Sequence, residues 1–459
     1  MILLVLLAAV PLALLPASTR AETLNLTMKQ AVKLGVERNL SLKAYVYDAA
    51  ITETGLRGSR GIYNPGLSLG VAFRDAETFA ANVGGPSEEK SVKLTAGLNR
   101  LIRSGATIGI QLNNYYNETN YTSSLYPHYW QTELTLSMSQ PLLRNFGEKI
   151  TNVNIILSEQ AWEGALQHLA SRIQSLVGQI RVEYVKLHSL REDLLSRKVS
   201  LDLARKILVE IRERVSAGVL PQMEILNAQY GVAAREKEVI DAEKGVKDQV
   251  DLLRQLLQIE AADINAVDPP DLEPVPTDEK EAIRRALELR PELAEAKLQI
   301  AGAETQKGAA RNKTLPALNV YGTWTAGGLG KEYYQDLNRV GTLDYPVWTA
   351  GLQFEYPIGN DTAEADYVKS KLKLEQTRNQ LDNLTSQVAT DVRGALRSVD
   401  ASYKQLDVTS REKAFADERL SAYISKSEVG LATARDVLDV ENDLARARSN
   451  QIRAQVNYV

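Results

Sequence analysis

Cysteine is absent from this chain of 459 residues. Disulfide bonds and cysteine-ligated metal sites are therefore excluded, and we expect no lipid anchor on an N-terminal cysteine. Histidine is scarce, with three in the whole chain, and a formal net charge of −4 offers no basic surface for nucleic acid. We predict no bound metal, no cofactor and no nucleic-acid partner.

Long apolar runs are absent after residue 15. Residues 2–15 are almost wholly apolar, and the small-residue run that follows Pro16 ends at Ala21. This run is too short to cross a membrane as a helix and is typical of a secretory signal peptide. A signal peptide is therefore predicted over residues 1–21, with a membrane anchor as the less favoured alternative, since no Lys or Arg precedes the run. No transmembrane helix is predicted after it.

The chain contains two copies of one large unit. Residues 30–70 align without a gap with residues 281–321, and residues 217–229 align with residues 429–441. A period near half the chain is too long for a solenoid. The prolines between the copies prevent a helix there and indicate a linker. The predicted segments are a first structural repeat (22–267), a linker (268–276) and a second structural repeat (277–459).

Two segments have the alternating pattern of β-strands, about 66–141 in the first repeat and about 317–358 in the second. Short and long connectors follow one another, and aromatic residues are concentrated in these segments. These features are typical of an outer-membrane β-barrel. A soluble β-sandwich is the alternative, but the rest of the chain is helical and offers no second apolar sheet face. Six candidate strands are too few to close a barrel, since natural barrels begin at about eight, so several chains must contribute.

A long coiled-coil helix is predicted at about 153–215, where no proline occurs. One heptad position is apolar from Ile173 to Val215, while the partner position is interrupted by Glu183 and Arg197. At 1.5 Å per residue the helix would be roughly 95 Å long.

Two further helices, at 29–60 and about 224–257, are half as long as the long helix. Stacked end to end, they would form a second column beside it. Each repeat would then supply two helical columns, and the chain four.

No catalytic motif is found in the sequence. His168 and His188 lie on the predicted coiled coil, where they are solvated or packing residues. The glycine-rich segment at 327–331 lacks the Lys-Ser/Thr pair of a phosphate-binding loop and is predicted to lie in an extracellular loop. We therefore predict that the protein is not an enzyme and has no catalytic residues.

Several motifs resemble those of the TolC-like outer-membrane efflux protein family. The motifs are NPGLSL (64–69) and LPALNV (315–320), which open a strand, SQPLL (139–143) and EYPI (355–358), which close one, and VGLATARDVLDVEN (429–442) at a helix–helix corner. The resemblance covers nearly the whole chain after the predicted signal peptide.

The resemblance implies an α+β membrane protein: a homotrimer with one outer-membrane β-barrel, continuous with a periplasmic α-helical coiled-coil barrel. It implies the exit duct of a tripartite efflux or type I secretion system, gated in the periplasm. The expected partners are outer-membrane lipid, a periplasmic adaptor protein and an inner-membrane pump. The first repeat carries an extra hairpin at 91–117, so three chains supply twelve or eighteen wall strands, and both counts remain open. A secreted structural coiled-coil or adhesive scaffold protein without a conduit is the alternative.

An acidic turn follows Gly430. Asp436 and Asp439 are three residues apart, so both carboxylates face one side of a helix. Taken alone, such a pair is usually a solvated charge pair at a helix N-terminus. The resemblance implies instead an acidic constriction, where trimer symmetry makes rings of carboxylates that select cations. Arg435 is a further candidate gate residue. Glu224, which aligns with Asp436 in the first repeat, is the fourth.

The resemblance also places both helix–helix corners at a periplasmic tip that meets the adaptor. The tip residues are Gly218, Val219, Val429, Gly430 and Leu431. An aromatic belt at the membrane boundaries is predicted as well. Its candidate residues are Trp130, Trp324, Trp348 and Tyr356.

Overall fold

The structure is a computed structural model that describes residues 23–77, 88–120, 126–260, 263–275, 278–343 and 345–459. The predicted signal peptide at 1–21 lies outside the described residues, as does most of the first long connector. Within the described part of the chain, no helix combines the length and the apolar character needed to cross a membrane.

Six long strands form one antiparallel sheet. The strands of the described chain are β1 (Thr23–Leu26), β2 (Gly66–Glu77), β3 (Glu88–Leu101), β4 (Thr107–Thr119), β5 (His128–Pro141), β6 (Asp263–Ala266), β7 (Ala317–Gly330) and β8 (Pro346–Glu355). The sheet has the order β2-β3-β4-β5-β7-β8, and each neighbouring pair is antiparallel. All six predicted strands are present, and β3 and β4, the extra hairpin, lie inside the sheet between β2 and β5.

Helices make up most of the remaining chain. They are α1 (Met28–Arg38), α2 (Leu40–Ser59), α3 (Glu148–Thr151), α4 (Val153–Ser216), α5 (Met223–Leu257), α6 (Glu279–Leu289), α7 (Pro291–Lys313), α8 (Tyr333–Thr342), α9 (Asp361–Glu428) and α10 (Ala434–Tyr458). A 3₁₀ turn, Arg60–Tyr63, follows α2. The longest helices, α4 with 64 residues and α9 with 68, occupy equivalent places in the two repeats.

The chain divides into two compact units. One contains the described parts of residues 1–44, 172–285 and 390–459, and the other contains those of residues 45–171 and 286–389. The six-stranded sheet belongs to the second unit. The first unit contains both helix–helix corners and a small parallel pair of β1 with β6, which the sequence analysis did not predict.

The core of the first unit lies where α4 and α5 meet the β1–β6 pair. Ile180 and Leu187, two residues of the apolar heptad position, are fully buried there beside Leu253 and Ile264. Tyr184 crosses this core, and its hydroxyl donates a hydrogen bond to the Leu26 carbonyl oxygen at 2.8 Å. Burial raises the pKa of the Tyr184 hydroxyl. The middle of the apolar seam predicted from the heptads, at Ile180, Leu187 and Leu194, therefore packs in this core with α5 and the strand pair.

The single helix predicted at 29–60 is wrong, because the structure breaks it at Asn39. Asn39 has an extended ψ of 120°, and its side chain accepts a hydrogen bond from the Leu42 backbone N at 2.9 Å. The amide group also donates to the Leu256 carbonyl oxygen at 3.0 Å, so it starts α2 and binds α5 at once. The second repeat breaks at the equivalent residue, Arg290, because Pro291 begins α7 and disfavours a helical residue before it.

The extracellular loop predicted at 327–331 is also wrong for its glycines. Gly327, Gly328 and Gly330 belong to β7 and pair with Glu133, Thr132 and Trp130 of β5. Glycine is needed here for packing, because a Cβ on Gly328 would overlap the carbonyl oxygen of Asp336 in α8. The glycines therefore let a helix lie directly on a strand.

Candidate functional site

The six-stranded sheet has one apolar face. Because side chains alternate along each strand, the strand register decides which residues share a face. The apolar face consists of Leu67, Leu69, Val71 and Phe73 of β2, Val92, Leu94, Ala96 and Leu98 of β3, Ile108, Ile110 and Leu112 of β4, Leu134, Leu136 and Met138 of β5, Leu318, Val320 and Trp324 of β7, and Trp348, Leu352 and Phe354 of β8.

This apolar face is largely uncovered. Leu69 is 75% exposed, Val71 76% and Leu352 70%. The opposite face carries polar or small residues at the same levels, for example Ser68, Thr95 and Gln353. A continuous apolar surface of this size on one face only is typical of a surface that meets an apolar medium.

The predicted belt residues divide into two groups. Trp324 and Trp348 form a cross-strand pair on the apolar face, and Trp348 is 75% exposed. Trp130 is on the same face but is covered, with Tyr333 of α8 packed edge-on at 4.9 Å between ring centroids. Tyr356 lies just beyond the end of β8 and is 43% exposed.

The two helix–helix corners have the same backbone. Gly218 and Gly430 have left-handed φ angles of 74° and 79°, the conformation that glycine adopts at least cost. Val219 N donates to the Arg214 carbonyl oxygen at 2.9 Å, and Leu431 N donates to the Lys426 carbonyl oxygen at 2.8 Å. Both corners are therefore Schellman motifs that end α4 and α9 in the same way.

The structure brings the two corners together. Both Nη atoms of Arg214 donate to the carbonyl oxygen of Ser427 at 3.3 Å, so a guanidinium group from the first corner binds the C-terminus of α9. At this shared end the predicted tip side chains point outward, with Val219 69% exposed, Val429 70% and Leu431 79%. The predicted tip residues thus include three exposed apolar side chains, beside the two corner glycines.

The acidic turn after Gly430 contains two carboxylates with different partners. Asp436 completes a capping box: its Oδ2 accepts from Thr433 N at 2.8 Å and from Thr433 Oγ1 at 2.7 Å, while its own N donates to Thr433 Oγ1 at 3.2 Å. Thr433 thereby holds the pKa of the Asp436 carboxyl below its ordinary value. Asp439 is exposed and lies 4.0 Å from Arg435 Nε.

Glu224, the first-repeat counterpart of Asp436, is half-buried in the first turn of α5. Its helix begins at Met223, and the N-cap residue Gln222 makes no side-chain hydrogen bond. The residue aligned with Thr433 is Pro221, which has no hydroxyl group to form a capping box. The four predicted gate residues therefore all lie in the first two turns of α5 and α10, close after the two corners.

A buried polar network near these turns was missed by the sequence analysis. Arg235 is 5% exposed and Glu441 3%, and their side chains are 2.6 Å apart between Nη2 and Oε2. Arg235 also binds Asn442 and donates to Glu238 Oε1 at 2.9 Å, and Glu238 Oε2 accepts from Arg197 Nη1 at 3.3 Å. The network thus joins α4, α5 and α10.

One sequence signal did point to this network. Glu183 and Arg197 were the two polar residues that interrupt the apolar heptads of α4. Gln249 of α5, itself 5% exposed, donates to Glu183 Oε2 at 2.7 Å, and Arg197 binds Glu238. Polar interruptions of the seam are therefore the places where α4 makes polar contacts with α5.

A metal site has no candidate in the part of the chain that the structure describes. Among the residues that the structure describes, no group of three or more His, Cys, Asp and Glu side chains is placed to hold a metal ion.

Comparison with known sequences finds similarity to outer-membrane efflux and export proteins. Residues 282–459 match the sequence model of the outer membrane efflux protein family. The pyoverdine export outer membrane protein OpmQ of Pseudomonas aeruginosa is 21% identical over 285 residues, which are 61% of this chain and 58% of OpmQ. The alignment thus spans less than two thirds of that relative.

Two solved structures share the fold over nearly the whole chain. The CmeC outer membrane channel of Campylobacter jejuni matches with a TM-score of 0.67 at 14% identity, covering 94% of this chain and 83% of CmeC. The outer membrane protein VceC of Vibrio cholerae matches with a TM-score of 0.68 at 14% identity, covering 94% of this chain and 93% of VceC. At such low identity these two comparisons concern the fold.

Proposed function

Residues 282–459 belong to the outer membrane efflux protein family, and the chain has the fold of the TolC-like channels; on this premise we propose that the protein is the outer-membrane exit duct of a tripartite efflux or type I secretion system. The resemblance predicted from the strand and corner motifs is confirmed by these comparisons. The duct is a passive conduit without enzymatic activity. Its proposed partners are a periplasmic adaptor protein and an inner-membrane pump.

The single observation that carries this proposal is the sheet with one exposed apolar face and two open edges. The edge strands are β2 and β8, and both are almost entirely exposed. An open edge cannot face lipid, since its backbone N–H and C=O groups would lose their hydrogen bonds. The sheet therefore needs further copies of itself, with the apolar face turned toward the membrane.

We propose a trimer whose strands close a barrel of eighteen, because three copies of a six-stranded sheet supply that number. Strand direction alternates across all six strands, so β2 and β8 run in opposite directions and neighbouring copies join as antiparallel pairs. Natural outer-membrane barrels are antiparallel and, in single bacterial chains, even-numbered, with eighteen inside the known range. The continuous position of β3 and β4 in the sheet favours eighteen strands over twelve.

In this proposal the helices form the periplasmic part, as the predicted coiled-coil barrel. The corner surface of Val219, Val429 and Leu431 is the end that meets the adaptor. The turns with Asp436 and Asp439 line the gate, where three-fold symmetry makes each exposed carboxylate one of three. The alternative of a secreted scaffold gains no support from the comparisons, and it gives no reason for an exposed apolar sheet face.

Two neighbouring residues on opposite faces of β8 test the proposal. Leu352→Arg places a charge on the apolar face, where arginine in lipid costs about 2–4 kcal/mol at the midplane. Gln353→Arg places the same charge on the polar face and is the matched control. Leu352→Arg should abolish the heat-resistant trimer in the outer-membrane fraction, and Gln353→Arg should leave it. A folded monomer in the membrane, or equal behaviour of the two variants, would refute the proposed barrel.

A further inference from the structure

Helix α8 lies on the apolar face of the sheet. Its Tyr333 packs on Trp130, and its Asp336 is fully buried, accepting hydrogen bonds from the hydroxyl of Thr132 and, at 3.0 Å, from the Thr132 backbone N. Trp130 and Thr132 alternate with the polar-face residues of β5 and so share the face of Leu134. In the proposed barrel this face is the outer one, and α8 is therefore outside the wall.

The helix covers a polar area of that face. Beneath it lie Thr132, whose hydroxyl accepts from Asn114 Nδ2 at 2.5 Å, and the bare backbone of Gly328 and Gly330. Lower on the same face most residues are apolar and several are exposed, such as Leu136 at 43% and Met138 at 51%. Unsatisfied polar groups facing lipid are costly. Asp336 satisfies them, and the helix takes the place of lipid at this level.

Helix α8 lies at the end of the sheet that carries the long connectors. Helix α8 follows directly after β7, on the side of the connectors at 78–87 and 120–127, while the opposite end has the tight turn at 102–106. Outer-membrane barrels have long connectors on the extracellular side and short ones in the periplasm. The helix is therefore placed at the outer leaflet.

The two flanks of α8 differ in polarity. Gln335 and Arg339, four residues apart, share one flank. This flank is next to the end of β7: Arg339 donates to the Leu329 carbonyl oxygen, and a Cβ on Gly330 would lie 3.0 Å from Gln335 Cβ. Tyr334 and Leu337 occupy the other flank and are 79% and 39% exposed. The polar flank is thus toward the outer end of the sheet, and the apolar flank toward the uncovered apolar face.

We propose that α8 is an interfacial helix that binds outer-leaflet lipid, with Tyr334 and Leu337 at the boundary between headgroups and acyl chains. This inference rests on the proposed function, since it requires the apolar face of the sheet to meet lipid. An amphipathic helix with aromatic and aliphatic residues on one side is suited to such a boundary. The continuity of the Tyr334–Leu337 flank with the apolar sheet face identifies lipid as the occupant.

The absence of cysteine allows a direct test with single labelled cysteines. Leu337→Cys, Tyr334→Cys and Gln335→Cys place a fluorescent label on the two flanks of α8. Leu352→Cys and Gln353→Cys place it on the apolar and polar faces of β8 as references. Each trimer is reconstituted in phosphatidylcholine vesicles whose lipids carry bromine near the headgroup or near the chain end, and iodide serves as the aqueous quencher.

The labels at Leu337 and Tyr334 should lose fluorescence with bromine near the headgroup, and less with bromine at the chain end. The label at Gln335 should be quenched by iodide. Quenching of the Leu337 label by iodide alone, while the Leu352 label responds to brominated lipid, would overturn the lipid-binding helix and leave the barrel intact. A Leu352 label insensitive to both lipids would overturn the outward apolar face, and with it both proposals.

Discussion

The two repeats make the same corner but begin the next helix differently. Gly218 and Gly430 have nearly equal φ angles and the same pair of backbone hydrogen bonds. After the first corner Pro221 precedes α5, which has no side-chain cap, while after the second Thr433 and Asp436 form a capping box for α10. The shared part is backbone geometry, and the part that differs is a titratable side-chain contact.

The same contrast continues along the two helices. Arg235 of α5 is at the position that aligns with Ala447 of α10, and both are buried. The first repeat thus supplies a buried cation, and the second supplies its anion, Glu441, from a different position. The corners are therefore alike in the two repeats, whereas the ion pair that joins α5 to α10 takes one residue from each repeat, at positions that are not equivalent.

Replacing both corner glycines is expected to have the largest effect. Gly218→Val with Gly430→Val puts a β-branched residue in the left-handed region, which costs roughly 1–2 kcal/mol per residue, so both corners should rearrange. No atom beyond the adjacent residues of the chain lies within 4 Å of either added Cβ, so the effect is conformational and local. We expect pump-dependent export to be abolished, with trimer and membrane insertion retained.

The matched control replaces the same glycines with asparagine, which tolerates positive φ. Gly218→Asn with Gly430→Asn should keep export near the wild-type level. The single valine variants then compare the repeats: equal losses would make the corners equivalent in docking. Export that persists in the double valine variant would show that the tip lies elsewhere.

Breaking the buried ion pair is expected to give the largest stability loss. Arg235→Ala leaves Glu441, 3% exposed, without its cation, and removing one partner of a buried pair costs about 3–5 kcal/mol. The substitution gives the first repeat the residue of the second, Ala447, and so tests whether the asymmetry is needed. The apparent melting temperature of the trimer in detergent should fall sharply.

Two controls accompany Arg235→Ala. The double variant Arg235→Leu with Glu441→Leu removes both charges and should recover much of the loss. Arg411→Ala breaks an exposed pair with Asp407, with side chains 62% and 70% exposed, and should cost at most about 0.5 kcal/mol. A melting temperature as high in Arg235→Ala as in Arg411→Ala would mean that the network does not hold α5 against α10.

Much of the fold could be read from periodicity. Alternation located all six strands of the large sheet, and the proline-free heptads placed α4 at about 153–215, against the observed Val153–Ser216. Elements that depend on distant partners could not be read in this way. Strands β1 and β6 have four residues each and pair across more than 200 positions, and α8 follows a glycine-rich strand that local pattern rules read as a loop.

The site was predicted less completely than the fold. The corner glycines were found from the alignment of the two repeats and from the family resemblance, and the structure adds the left-handed backbone that both corners have. The polar residues Glu183 and Arg197 were recognised as interruptions of the apolar heptads of α4. Their partners, Gln249 and Glu238, lie on α5, and the heptad pattern of one helix does not identify contact residues on another. Asp436 was predicted as a gate residue, and the structure gives it a capping role that the motif Thr-x-x-Asp contained. Its place in a gate remains a prediction.

A selectivity measurement separates the gate from the cap. Asp439 is not part of the capping box, and its pair with Arg435 is exposed, so Asp439→Asn should leave stability unchanged. If three copies of Asp439 line a narrow pore, the variant should weaken cation preference, and adding Asp436→Asn should weaken it further and raise conductance. Reversal potentials in planar bilayers under a salt gradient give the result. Unchanged selectivity in the double variant would remove these residues from the gate while leaving the duct assignment in place.

The smallest effect is expected from the cap itself, and it should distinguish the two corners by pH. The pKa of Asp436 is lowered in the folded chain by its bonds from Thr433. Its contribution to stability is therefore present above the ordinary aspartate pKa and is lost as pH falls through the lowered value. The protection factors of the first-turn amides of α10, which compare each exchange rate with the intrinsic rate at the same pH, should fall on acidification, while those of α5, which has no side-chain cap, should not. Thr433→Ala, which changes no charge, should accelerate exchange in α10 at neutral pH by up to about tenfold. At acid pH, the difference in amide protection of α10 between Thr433→Ala and the unsubstituted protein should be smaller than at neutral pH. Equal pH responses at the two corners would mean that the capping box does not set the stability of the second corner.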